Sequence, residues 1–370
     1  MRNYLKYIAA VFLLMVFTAV PAFSQEHPVA EASSEESLDV KTLILDHLGD
    51  AYEWHIATIG EAHITIPLPV ILYSETTGFH VFLSSRFHHG HEAYNGFYIA
   101  QAGDYKGKIV EQNAAGGEVR PWDVSLTKNT VGLLFASTLL VIIILGVARW
   151  YKKQQQTGEY LAPKGFVGFM EMFIMSVQED IIKPCVGKNY QKFSPYLLTA
   201  FFFIFLNNIM GLIPIFPFGA NVTGNIAITL VLGLFTFFIV NIFGTKEYWL
   251  EIVNPDVPTW LKLPIPMMPV IEVVGMFTKP FALIIRLFAN ILAGHSIVLG
   301  LVCLIFVTAN LSPVINGSMT LVSVLLTIFI DMLEILVAYI QAYVFTMLSA
   351  VFIGLAQVEH HKKEPVKAKN

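Results

Sequence analysis

Apolar residues follow two different rhythms along this chain. Between positions 63 and 85 they alternate with polar ones over short runs, HITIPLPVILY and FHVFLSS, a period that predicts β-strands. Further on they form long, nearly unbroken stretches at 130–148, 196–213, 226–243, 268–308 and 319–357. A bilayer core takes about 20 apolar helical residues to cross, so five transmembrane helices are expected. Residues 165–182, GFVGFMEMFIMSVQEDII, set Glu171, Glu179 and Asp180 among bulky apolar residues and suit a helix lying at the membrane interface. The fold class expected is an all-α polytopic membrane protein with a small β-rich domain in front of it.

The last two stretches are too long for simple spans. Forty helical residues run to about 60 Å, twice the hydrocarbon thickness of about 30 Å. Upright helices are excluded, so this C-terminal hairpin either tilts strongly or breaks and projects from the bilayer.

Composition agrees. Of 370 residues 55% are hydrophobic and 14% charged, against about 25% charged in a soluble domain. The net charge of −4 says little, because an acidic N-terminal region and a basic C-terminal tail nearly cancel. Cys185 and Cys303 have neither metal-site spacing nor a pattern suggesting a disulfide.

Residues 1–24 read as a signal peptide: Arg2 and Lys6, an apolar core, then Ala22, Phe23 and Ser24 before Gln25. The alternative is an uncleaved first span. Export would place 25–128 outside the cytoplasmic membrane, beginning with the acidic, disordered run EHPVAEASSEESLD and continuing into the β-rich part. The membrane domain is then 129–370. Basic residues fix its orientation. Arg149, Lys152, Lys153, Lys164, Lys183, Lys188 and Lys192 fill one loop, Lys246 and Lys262 another, and Lys362, Lys363, Lys367 and Lys369 the tail. Loops 214–225 and 309–318 contain no Lys or Arg. The basic loops and C-terminus therefore belong in the cytoplasm.

Charges inside the long segments carry the chemistry. Glu272, Lys279, Arg286 and Asn290 are 7, 7 and 4 residues apart, and at about 100° per residue they form one polar stripe. His295 lies about half a turn around from Arg286. On the last segment Glu334 and Gln341 share a face, with Asp331 one turn before Glu334. Pairing the two segments antiparallel puts Glu334 near the level of His295 and Gln341 near that of Arg286. A charge at mid-membrane costs about 2.5–3.5 kcal/mol on insertion scales. Arginine does not shed its proton, so Arg286 must face protein or water and requires an anion. Carboxyl groups can neutralise by taking up a proton, which makes Glu334 and Glu272 candidate carriers, and histidine titrates near neutrality. Bland roles stand beside these: hydrogen-bonding glue for Asn290 and Gln341, a structural role for Asp331, a satisfied interfacial residue for His295, and an interfacial anchor beside a kink for Lys279 and Pro280.

RLFANILAGH at 286–295 resembles the signature of the a subunit of F-type ATP synthases. NNIMGLIPIF at 207–216, NVTGN at 221–225, EVVGMFTKPFALIIRLFAN at 272–290 and EILVAYIQAYVFTML at 334–348 extend the likeness over about 160–360. The resemblance implies a membrane stator subunit beside the rotating c-ring, with peripheral-stalk b subunits and the rest of the synthase as partners. It implies that Arg286 is the arginine essential for coupling, with Gln341 packed near it and Asn290 one turn away. Glu334 and His295 would line the outer half-channel, Glu272 the inner one, and Asn207 and Asn208 would be polar residues of a neighbouring helix. Protons would load a ring carboxylate from the outer path and leave by the inner one, with Arg286 between the two.

The chain has no GxxxxGK[ST] stretch, so nucleotide chemistry falls to partners, and neither a cofactor nor nucleic acid is expected. His88, His89 and His91 could bind a metal, but a solvated loop is the plainer reading. The competing function is a secondary transporter, which predicts internal repeats that the sequence lacks. His91 and Glu92 open like the HExxH of a metalloprotease, but Asn95 stands at the last position. Proton or sodium coupling, ring size and the role of 25–128 are not written in the sequence.

Overall fold

The computed structural model describes residues 49–59, 62–90, 92–103, 105–112, 117–158, 162–213, 218–253, 267–309 and 312–357. The expected signal peptide, the acidic run after it, His91, Lys262 and the tail lysines lie outside the described residues.

Short strands form where alternation predicted them. β1 (Glu53–Ile59) and β2 (Ala62–Pro67) make an antiparallel hairpin in which Trp54 faces Ile66. β3 (Pro69–Ser74) pairs with β4 (Gly78–Leu83) on one side and β8 (Trp122–Asp123) on the other. β5 (Phe97–Ile99), β6 (Ile109–Gln112) and β7 (Glu118–Val119) form a third small sheet. Val70 and Leu72 turn inward from β3 to meet Tyr52, Phe87, Phe97 and Ile109, the every-second-residue burial of a strand. The Tyr52 hydroxyl donates to Asp123; burial and that carboxylate hold the phenol proton well above its ordinary range. The β-rich region is tied to the first long helix, α1 (Lys128–Thr157). Lys128 N donates to Ala51 O at 2.9 Å and Asn129 N to Asp50 Oδ1 at 3.0 Å. An acidic acceptor there satisfies an otherwise orphaned first-turn donor and suits the positive helix end.

Helices follow: α2 (Phe166–Ser176), a π turn (Val177–Ile182), a short helical stretch (Lys183–Val186), α3 (Tyr190–Leu212), α4 (Ile226–Ile242), α5 (Lys246–Val253), α6 (Met267–Thr308) and α7 (Pro313–Ala356). Four stretches are long and apolar enough to cross a bilayer, Lys128–Thr157, Phe166–Leu212, Met268–Thr308 and Pro313–Ala356. A fifth is added if α4 and α5, bent by 99° at their junction, count as one.

Several boundaries differ from those expected. Residues 165–182 form α2 and a π turn that run on toward α3. The helix has apolar residues on both faces, with Phe166, Phe169, Met172 and Met175 outward and Met170, Val177, Ile181 and Ile182 in the core. The basic loop after α4 contains α5, a helix of eight residues too short for its periodicity to stand out. α7 begins at Pro313 rather than 319, with proline at the first turn where its missing N–H costs nothing. α6 continues unbroken through Pro280.

Close approaches occur at glycines. Ile284 of α6 sits against Gly233 of α4, where a Cβ would stand. Gly354 of α7 lies against the Cys185 carbonyl. Because that neighbour is backbone and has no rotamer to escape into, Gly354→Ala should cost about 1–3 kcal/mol by overpacking. A lowered midpoint in thermal denaturation of the purified protein checks it; an unchanged one would mean the two helices separate freely.

Candidate functional site

α6 buries one seam and exposes another. Leu283, Ile284, Leu287 and Ile291 face the interior, at the three- and four-residue spacing of a helix face. The polar stripe falls elsewhere: Lys279, Arg286 and Asn290 are exposed and Glu272 half-buried. No carboxylate of the described residues is seen paired with the Arg286 guanidinium. The arginine is exposed on this chain, with Asn290 and the exposed apolar side chains Phe281 and Ile285 near it along the helix.

Its backbone is fixed from behind. Gln341 of α7 is 3% exposed, and its Nε2 donates to Arg286 O at 3.0 Å. A buried amide spent on that carbonyl locks α7 against α6 at the level of the charge and leaves the guanidinium undisturbed.

Toward the other end of the pair, the Glu334 carboxyl lies against Gly294, in the space a Cβ would take. His295 follows immediately. It is half-buried, and its Nε2 lies 3.7 Å from where a Gly211 Cβ on α3 would be. Glu334 and His295 thus occur at one level. The half-turn separating His295 from Arg286 is no obstacle and needs no distortion of the helix, because one residue faces α3 and the other faces outward. Asp331, one turn before Glu334, is exposed.

α3 supplies two buried asparagines. Asn208 Nδ2 donates to Ala338 O at 3.4 Å, one turn along α7 from Glu334, and Asn208 Oδ1 accepts from Thr223 Oγ1 at 2.6 Å. Asn207 Nδ2 donates to Phe203 O at 2.8 Å. The Asn207 Oδ1 has no protein partner.

Lys279 sits apart from these groups. Its Nζ lies 5.9 Å from the centre of the Phe352 ring, and with Asn241, Tyr248 and Thr236 it lines a small cavity between α4, α5, α6 and α7. Glu272 lies in the neighbourhood of Tyr248. In the β-rich region His88 stands 3.6 Å from Glu92 on the surface. No group of three His, Cys, Asp or Glu among the described residues could hold a metal ion.

Sequence reasoning missed the two glycines, Gly294 and Gly211, against which the ionisable groups rest, and Thr223 as the partner of Asn208. A glycine immediately before the histidine and a threonine inside NVTGN were the available signals.

The fold and site together define a polytopic helical membrane protein with an internal polar seam and a charge presented outward. A family model described as ATP synthase A chain matches residues 133–354, and the chain belongs to that family. Residues 43–127 match a second model, described as a domain of unknown function. The ATP synthase subunit a of Chloroherpeton thalassium is 41% identical over 246 residues, 65% of this chain and 68% of the relative. ATP synthase subunit a 2 of Chlorobaculum tepidum is 44% identical over 241 residues, 65% of each chain. ATP synthase subunit a of an Anaeromyxobacter species is 34% identical over 346 residues, 90% of this chain and 74% of the relative. Membership makes the chain a membrane subunit of the complex that is not itself the catalyst, and it displaces the transporter reading.

Proposed function

We propose that this chain is the proton-conducting a subunit of an F-type ATP synthase, with two offset half-channels meeting at Arg286. In this reading the membrane domain has five spans, the α6–α7 hairpin is strongly tilted, the C-terminus is cytoplasmic, and the β-rich region faces the outside of the inner membrane. Protons enter along a path containing Asn207, Asn208, His295 and Glu334 and neutralise a carboxyl group on the neighbouring c-ring. A neutral group can turn through lipid, which a charged one cannot afford. It releases its proton into an inner path near Glu272, and the resulting carboxylate meets Arg286, whose charge holds it ionised and separates the two paths.

The observation that carries this reading is the outward guanidinium with its backbone held by buried Gln341. A permanent charge at such a position demands an anion from another chain. The peripheral-stalk b subunits and the rest of the synthase complete the proposed assembly, beside the lipid bilayer. Affinity purification of the tagged chain from its native membrane tests it. A small, apolar ring-forming protein with a mid-span carboxylate should co-purify, together with ATPase activity sensitive to carboxyl-modifying reagents. Purification of the intact chain with neither would overturn the reading.

A further inference from the structure

We propose that the β1–β2 hairpin roofs the outer proton path, and that Trp54 positions the turn lining its mouth. The inference rests on the proton path proposed above and assigns a task to the β-rich region.

The turn between α3 and α4 is held from several sides. Gly219 N donates to Met210 O at 2.9 Å and Val222 N to Ala220 O at 2.9 Å. Asn221 Oδ1 accepts from Gly224 N at 3.0 Å. Gly132 of α1 lies so close beneath that an added Cβ would meet the Ala220 and Val222 side chains. From the β-rich region comes Trp54, 3% exposed, in one apolar cluster with Ala220 and Val222, at 4% and 3%. Ile66, opposite Trp54 in the hairpin register, packs against the same cluster with Val131, Leu133 and Ile228.

That turn is also part of the polar seam. Thr223 donates to Asn208, which reaches the α7 backbone one turn from Glu334. Gly211 has the Ala220 carbonyl at 3.5 Å from its Cβ position and His295 Nε2 at 3.7 Å. Turn and imidazole are therefore neighbours across a single glycine. Asn221 Nδ2 and Asn207 Oδ1 are buried with no protein partner, which is the setting in which ordered water bridges polar groups in protein interiors.

One turn thus carries an apolar face and a polar face. Ala220 and Val222 pack with Trp54, while Thr223 joins the seam through Asn208. The indole fixes the first and thereby registers the second. It also closes the seam with an apolar plug, so that water reaches His295 and Glu334 by a defined route rather than through an open funnel. Trp54 acts through the turn, as a positioning residue.

The test uses the assembled synthase in proteoliposomes. Trp54→Ala should lower proton-driven ATP synthesis per assembled complex by about fivefold, the change in a local equilibrium expected from losing one such contact, while Trp54→Phe keeps the parental rate. Val222→Ala removes the other half of the same contact and should act in the same direction if Trp54→Ala reduces assembly. A Thr223→Cys reporter should react faster with a membrane-impermeant maleimide added outside when combined with Trp54→Ala, measured against the native Cys185 and Cys303 background. Parental synthesis and labelling in the Trp54→Ala and Val222→Ala complexes would overturn the proposal. Arg286→Ala in the same vesicles separates the two levels. If it alone blocks synthesis, the roof is refuted and the proton-path reading stands; if it too is active, the reading beneath has failed.

Discussion

Arg286→Ala should abolish proton-driven ATP synthesis and ATP-driven proton pumping, with the protein still present in the membrane at its normal level. Loss of function without loss of fold follows from where the side chain points. Arg286 is exposed on α6 while its neighbours Leu283, Leu287 and Ile291 are buried. The contact that locks this level of the helix pair, Gln341 Nε2 to Arg286 O at 3.0 Å, uses a backbone atom that alanine retains. Alanine also has a high helix propensity. In the proposed assembly, what disappears is the cation that would face the ring carboxylate. Leaving one member of a buried ion pair alone costs about 3–5 kcal/mol, or roughly a hundredfold to several thousandfold in rate if paid at the coupling step. Arg286→Lys keeps a charge but replaces the planar fork with a compact ammonium, so synthesis should fall severely there too. Rates per assembled complex in vesicles, with subunit abundance from immunoblotting, decide the matter. Normal synthesis in either variant would remove Arg286 from the mechanism.

The part of this site that could be read in the sequence is the part where lipid makes errors expensive. A charged residue in an apolar helix has few places to go, so the spacing of Glu272, Lys279, Arg286 and Asn290 already defined one stripe, of which α6 leaves Lys279, Arg286 and Asn290 exposed. The levels of Gln341 and Glu334 against α6 followed from antiparallel helices rising about 1.5 Å per residue. The fold was legible for the same reason wherever an element was long. α5 was not, because eight residues give too little periodicity to separate a helix from a charged loop. Contacts made by glycine were also out of reach. Gly211, Gly294 and Gly132 act by what they leave room for, and which side chain fills that room is set by tertiary packing. Nor did the alternation around Trp54 reveal what the indole covers, since Ala220 and Val222 lie more than 160 positions away in the sequence.

Gly294→Ala should uncouple activity from stability in the outer path. The added Cβ falls on the Glu334 carboxyl, the far end of a flexible side chain, which can rotate aside where backbone could not. The helix pair therefore survives, and replacing a mid-helix glycine with alanine favours the helix by about 1 kcal/mol. The carboxyl, however, leaves its place beside the residue that precedes His295. Displacing a reacting group by about 1 Å can cost about a hundredfold, and a path with mobile water would soften this to tenfold or more. Thermal stability at or above the parental value, with proton-driven synthesis at least about tenfold lower, is the expected pair of results. Glu334→Gln keeps the shape of the side chain but removes the exchangeable proton, so it should slow proton entry at least as much. Combining the two substitutions should add little to Glu334→Gln alone, because both act on one group and such effects are not additive. Parental synthesis in Gly294→Ala would show that the position of the carboxyl is immaterial. If Glu334→Gln also conducted normally, Glu334 would be a packing residue, and His295 with Asn207 and Asn208 would have to carry the outer path without it.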